Sequence, residues 1–162
     1  MRVYILTMSD KGYIGNREDK SGEVLKDIVR SRRWEIAGYE ILPDEKEMIS
    51  QKLCEICDME KADLILTTGG TGVSPRDVTP DATLEVIEKR LTGFETAMMI
   101  EGLKKTPMAA ISRAVVGTRK KTMIINLPGS PKAVLENLNA VIEAIPHAVE
   151  KLQGDQSDCA QV

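Results

Sequence analysis

Ala62-Asp63-Leu64-Ile65-Leu66-Thr67-Thr68-Gly69-Gly70-Thr71-Gly72-Val73-Ser74-Pro75-Arg76-Asp77-Val78-Thr79-Pro80 is the stretch that decides the fold. Ala62 to Thr68 reads as a strand. Its Leu64-Ile65-Leu66 centre calls for burial on both faces, as in a parallel sheet covered by helices. Gly69 to Pro80 is a glycine- and proline-rich loop, long for a connection in a compact domain, and such loops are more often functional than not. Thr79 as N-cap and Pro80 at the first helical position then open a helix, with Leu84, Val86 and Ile87 behind them.

The same alternation extends both ways. Val3 to Met8 is a short apolar strand followed by a polar loop, and Val24, Leu25, Ile28 and Val29 mark a helix from Ser21 to about Arg32, with Ser21 as its cap. Trp34 to Leu42 reads as a strand stopped by Pro43. Asp44, three residues before Glu47, resembles a capping box for a helix whose inner face is Ile49, Leu53, Ile56 and Cys57. Downstream, Phe94 to Leu103 is helical, Ala114–Thr118 and Thr122–Leu127 form a hairpin, and one helix bent at Pro146 runs from Pro131 to Gln153. Strand and helix alternate throughout, which predicts a three-layer α/β/α fold with a mostly parallel central sheet. The expected organisation is one domain over 1–153 and a flexible tail over 154–162.

Composition narrows the function. With 3% aromatic residues and a net charge of −3, the 162-residue chain has neither stacking platforms nor a basic footprint for nucleic acid. No apolar run approaches a membrane span, and no signal peptide is expected. Three cysteines in a chain this long make a disulfide framework improbable and point to the cytoplasm. Cys54 and Cys57 have a CxxC spacing but no second Cys/His pair to complete a zinc site, so they read as a helix face. His147 stands apart from every strand-end loop. Met98, Met99, Met108 and Met123 read as core filler.

Ligands of such sheets bind beyond the carboxyl ends of the strands. Three loops there, Ser9 to Lys20, Gly69 to Thr79 and Pro128 to Pro131, should meet with Asp44 at one edge. The glycine loop is neither a Walker loop nor a dinucleotide fingerprint. Its backbone N–H groups could cradle a phosphate, or its glycines could simply supply positive φ at a turn. Asp44 and Asp77 could converge to hold Mg²⁺, or they could be a helix cap and a loop-stabilising carboxylate. Ser130 either meets an anion at a helix N-terminus or only caps that helix.

Taken together, Thr67-Thr68-Gly69-Gly70-Thr71-Gly72 and Pro75-Arg76-Asp77-Val78-Thr79-Pro80-Asp81-Ala82-Thr83 closely resemble the signature of the molybdopterin adenylyltransferase family, the MogA/MoaB-like group that includes the G domain of gephyrin. Ser9-Asp10-Lys11, Glu18-Asp19-Lys20-Ser21-Gly22, Leu42-Pro43-Asp44-Glu45 and Leu127-Pro128-Gly129-Ser130-Pro131 resemble its other motifs, in the same order. The resemblance implies the MogA-like fold and transfer of AMP from ATP to the phosphate of molybdopterin, with release of pyrophosphate, in molybdenum cofactor biosynthesis. It implies Asp44 and Asp77 as catalytic and Mg²⁺-holding residues. Ser9, Asp10, Asp19, Ser21, Gly69, Gly70, Thr71, Gly72 and Ser130 would form the substrate and nucleotide pocket. It also implies a homotrimer, which the apolar Met98-Met99-Ile100 stretch could serve, and a downstream protein that inserts molybdate. A non-catalytic pterin-binding or scaffold paralogue of the same fold is the alternative.

Overall fold

The computed structural model describes residues 1–155, so the expected tail lies outside the described residues from 156 onward. Six strands form one sheet: β1 (Arg2–Met8), β2 (Glu35–Leu42), β3 (Leu64–Thr68), β4 (Lys89–Arg90), β5 (Val116–Arg119) and β6 (Thr122–Leu127). Their order is β2-β1-β3-β6-β5-β4. The first four in that order are parallel, and β5 and β4 turn antiparallel at one edge. Aligned register brings Met8 beside Leu42, Thr7 beside Thr68, and Thr68 beside Leu127. The carboxyl ends of β1, β2, β3 and β6 therefore finish on one line.

The period of two in the strands splits the core in two. Val3, Ile5, Leu64, Leu66 and Ile125 face one side, where they pack with α2 (Lys20–Ser31), α5 (Thr92–Lys105), α6 (Pro131–Asn139) and α7 (Ile145–Leu152). Leu6, Met8, Ile65 and Ile124 face the other, against α3 (Lys46–Asp58) and α4 (Thr79–Val86). This is the mostly parallel three-layer architecture that the sequence pattern predicts, and β3 is buried along its whole length. Ile49, Leu53, Ile56 and Cys57 form the buried face of α3 as expected. Burial pushes the Cys57 thiol up to about 12, which suits a packed residue and not a metal ligand.

Several local expectations are corrected. Asp44 does not cap α3; the cap position is Glu45 and it makes no side-chain cap bond. Thr79 is inside α4, where its hydroxyl donates to the Gly69 carbonyl at 2.9 Å, and Val78 is the cap position. Asp19, not Ser21, caps α2 by accepting from the Gly22 N–H at 2.9 Å. Leu84 is exposed, not inward. The last helix is two helices. Pro146 cannot donate an N–H, and its ring would meet the carbonyl of the preceding turn. The chain breaks over 140–144 and restarts with Pro146 in the first turn of α7. A short helix α1 (Asp10–Tyr13), strand β4 and a 3₁₀ turn (Pro107–Ile111) lie outside the elements that the sequence pattern predicts.

Candidate functional site

A polar cavity of about 640 Å³ opens where the parallel strands end. Ser9, Asp19, Ser21, Asp44, Gly69, Gly70, Asp77 and Ser130 all line it, so the expected loops do converge. Asp10, expected to line it, does not; it exchanges hydrogen bonds with Asp44 instead. Thr71 and Gly72 do not join this group. They line a second cavity of about 770 Å³, more apolar, between α5, the 3₁₀ turn and α6. Gly129 and Ser130 form a rim shared by both. The glycine loop is thus a wall with a different cavity on each side.

Backbone geometry explains the glycines. Gly69 and Gly70 have φ of 95° and 62°, the left-handed region that penalises a side chain. A Cβ on Gly69 would lie 2.3 Å from the Met8 carbonyl oxygen, and one on Gly70 would lie 2.5 Å from Thr79 Oγ1 and 2.9 Å from Asp44 Oδ1. The turn is therefore pressed against β1 and Asp44. The Gly69 N–H donates to Leu127. Among the described residues the N–H groups of Gly70, Thr71 and Gly72 find no acceptor, which leaves them available to an anion.

Asp44 is held by long-range bonds. Its Oδ2 accepts from the Asp10 N–H at 3.0 Å, and its own N–H donates to Asp10 Oδ1 at 3.0 Å. This reciprocal pair pins two segments 34 residues apart. Burial first, and then the neighbouring Asp10 and Asp77 carboxylates, raise the Asp44 pKa, although the Asp10 N–H and Arg76 act against the rise. Asp77 Oδ2 accepts from the Ser74 N–H at 2.8 Å, the loop-stabilising role that was one of its two readings. Asp44 Oδ1 and Asp77 Oδ1 accept no hydrogen bond among the described residues. The site offers oxygen donors from two loops, but no cluster of three metal-ligating side chains exists among the described residues. That donor set fits Mg²⁺ bound by one or two carboxylates together with substrate phosphates, not a protein cage.

Asp19 anchors the opposite wall. Besides capping α2 it accepts from the Thr7 hydroxyl at 2.5 Å and the Tyr39 hydroxyl at 2.7 Å. Burial and then this bond raise the Tyr39 phenol. The Ser21 hydroxyl donates to the Gly129 carbonyl at 2.6 Å and ties α2 to the β6–α6 loop. Ser9 and Ser130 cap α1 and α6, accepting from Gly12 at 3.0 Å and Ala133 at 3.2 Å.

Three arginines to which the sequence pattern assigns no role stand at the two cavities. Arg76 pairs with Asp10 and Glu45 beside the cavity, and its guanidinium lowers the Asp10 pKa. Arg113 grips the back of the glycine loop. Its N–H donates to the Thr71 carbonyl at 2.8 Å, its Nε donates to the Gly72 carbonyl at 2.8 Å, and its Nη2 pairs with Asp81 at 3.0 Å. Arg17 lines the polar cavity with Lys20, and neither forms an ion pair among the described residues. Met98 and Met123 are core residues as expected, but Met108 is 64% exposed. His147 lies on α7 and lines neither cavity.

The whole arrangement has close relatives. Residues 4–147 match the family described as a probable molybdopterin binding domain. The chain is 40% identical over 157 residues to a molybdopterin adenylyltransferase of Helicobacter pylori strain J99, covering 96% of this chain and 89% of the relative. It is 36% identical over 174 residues to the molybdopterin adenylyltransferase of Escherichia coli K12, covering 99% and 89%. The crystal structure of the molybdopterin biosynthesis enzyme MoaB from Thermus thermophilus superposes with a TM-score of 0.89 at 47% identity, covering 95% of this chain and 97% of that one.

Proposed function

Since this chain belongs to the molybdopterin-binding domain family of molybdenum cofactor biosynthesis, we propose that it works as a molybdopterin adenylyltransferase. A phosphate oxygen of molybdopterin attacks the α-phosphorus of ATP. The bond from that phosphorus to the β-phosphate oxygen breaks, pyrophosphate leaves, and AMP remains on the pterin. One observation carries this reading at the level of the site. Asp44 and Asp77, from separate loops, line the same polar cavity as the Gly69–Gly70 turn at the sheet's carboxyl edge.

The nucleophile is already an anion, so the protein needs no strong base. Its task is to align two polyanions and offset their repulsion. Asp44 and Asp77, each with one carboxylate oxygen to spare, would hold Mg²⁺ and orient the phosphates. When bound, that ion would neutralise phosphate charge and polarise the reacting phosphoryl group. Arg17 and Lys20 supply further positive charge on the opposite wall. The Gly70, Thr71 and Gly72 N–H groups would receive phosphate or pterin oxygens. Ser130, on the rim between the two cavities, would contact the pterin side. Ser9, Asp10, Asp19, Ser21 and Gly69 shape the pocket.

The same reading carries a homotrimer, a downstream molybdate-insertion partner and a cytoplasmic location. Among the described residues no helix is long and apolar enough to cross a membrane. Of Met98-Met99-Ile100, only Ile100 is well exposed and free to serve an interface; Met98 belongs to the core. Sedimentation measures the assembly directly. The test of function is incubation of the pure protein with molybdopterin, ATP and Mg²⁺. Adenylylated molybdopterin and pyrophosphate should appear in equal amounts. Pterin binding without product would make this a binding or scaffold protein instead.

A further inference from the structure

We propose that Arg76 is a positioning residue that sets the separation of Asp44 and Asp77, by gripping Asp10 and Glu45 from the loop that carries Asp77. The proposal rests on the adenylyltransferase reading of the site. Arg76 Nε donates to Asp10 Oδ2 at 3.0 Å, Nη2 donates to Asp10 Oδ1 at 2.8 Å, and Nη1 donates to Glu45 Oε1 at 2.8 Å. Asp10 is in turn locked to Asp44 by two reciprocal bonds of 3.0 Å, each from one residue's backbone N–H to the other's carboxylate. Glu45 is the chain neighbour of Asp44, and Arg76 is the chain neighbour of Asp77. One guanidinium therefore joins the two acidic segments at three points. Among the described residues no other hydrogen bond links 70–78 to 9–13 or 43–46.

The chemistry of the grip is specific. Asp10, Asp44, Glu45 and Asp77 place four carboxylates on segments that would otherwise repel. A planar guanidinium can hold one carboxylate bidentately and a second with its remaining nitrogen, whereas an ammonium is a point charge that cannot. Arg76 is half exposed, and exposed ion pairs contribute little to stability. Its loss should therefore spare the fold and fall on geometry, and a misplacement of ~1 Å at a reacting centre can cost about 10²-fold in rate.

The experiment compares the wild type with Arg76→Lys, Asp10→Asn and the double variant. Two readouts are taken: steady-state adenylylation, and Mn²⁺ bound in the presence of a non-hydrolysable ATP analogue, followed by electron paramagnetic resonance. Arg76→Lys should lower kcat by about 10- to 10²-fold and weaken Mn²⁺ binding, with the KM for molybdopterin and the Tm unchanged. The double variant should be no worse than the weaker single variant, because the two residues act as one unit. Wild-type Mn²⁺ affinity in Arg76→Lys, or losses that add in the double variant, would overturn the proposal. If the wild type makes no product, the functional reading falls, and Mn²⁺ binding still decides the role of Arg76.

Discussion

Replacing Asn126 with alanine should destabilise the protein more than any surface change near the site. Asn126 is fully buried near the carboxyl end of β6. Its Nδ2 donates to Thr67 Oγ1 at 2.9 Å and to Thr83 Oγ1 at 3.0 Å, and its Oδ1 accepts from the Val115 N–H at 3.2 Å. The Thr83 hydroxyl passes the chain on to the Thr79 carbonyl at 2.9 Å, and the Thr79 hydroxyl holds the Gly69 carbonyl at 2.9 Å. Removing the amide strands the Val115 donor, at about 1–3 kcal/mol for a buried unsatisfied group. Each threonine keeps an acceptor for its own proton and loses only an incoming bond, worth roughly 0.5–1 kcal/mol each. The sum is about 2–5 kcal/mol, within a typical total of ~5–15 kcal/mol, so the variant should still fold. For a chain of this size that is a fall in Tm of roughly 5–20 °C. Urea unfolding followed by circular dichroism gives the free energy directly, provided the m-value is unchanged. A loss below about 1 kcal/mol would refute the reasoning, because it would mean that the three bonds are replaced or were never limiting.

Asp77→Asn keeps the hydrogen bond to Ser74 but loses the charge, so it should bind molybdopterin normally and lose turnover; unchanged kcat would remove Asp77 from the phosphate chemistry. Gly70→Ala forces a Cβ into the left-handed region and against Thr79 Oγ1 at 2.5 Å, at a cost of at least ~1–2 kcal/mol, with adenylylation falling too; a neutral result by thermal melt would show that the turn can relax. Asp58 is held at about 2 by hydrogen bonds from Arg119 and Lys120, below its ordinary value of 3.8. A depressed carboxylate contributes stability above its unfolded pKa and loses it as pH falls through the folded one. Stability should therefore decline between pH 3.8 and about 2, and Asp58→Asn should flatten that part of the profile, as read by urea midpoints at each pH.

Short-range signals were legible where short-range physics decides. The apolar runs at Val3 and Leu64 become strands because nothing but sheet burial satisfies them on both faces. The same logic misreads Asp44. Its spacing to Glu47 is that of a helix cap, but the carboxylate turns to an N–H supplied 34 residues earlier. No local pattern encodes that donor. Thr79 is misread for the same reason, because the Gly69 carbonyl competes for its hydroxyl. Arg113 is the clearest omission. It lies in none of the motifs, and its role exists only because the 3₁₀ turn returns it to the back of the glycine loop.

That return also explains why the expected pocket residues divide. Positive φ at Gly69 and Gly70 reverses the chain immediately after β3, so these two residues stay at the polar cavity. The carbonyls of Thr71 and Gly72 then point to Arg113, and the pair is drawn to the apolar side. A loop held from both sides presents one face to the polar cavity and the other to the more apolar one. The glycine loop is therefore divided between two cavities where the sequence pattern expects one pocket. Releasing Arg113 should loosen the apolar wall before it disturbs Asp44.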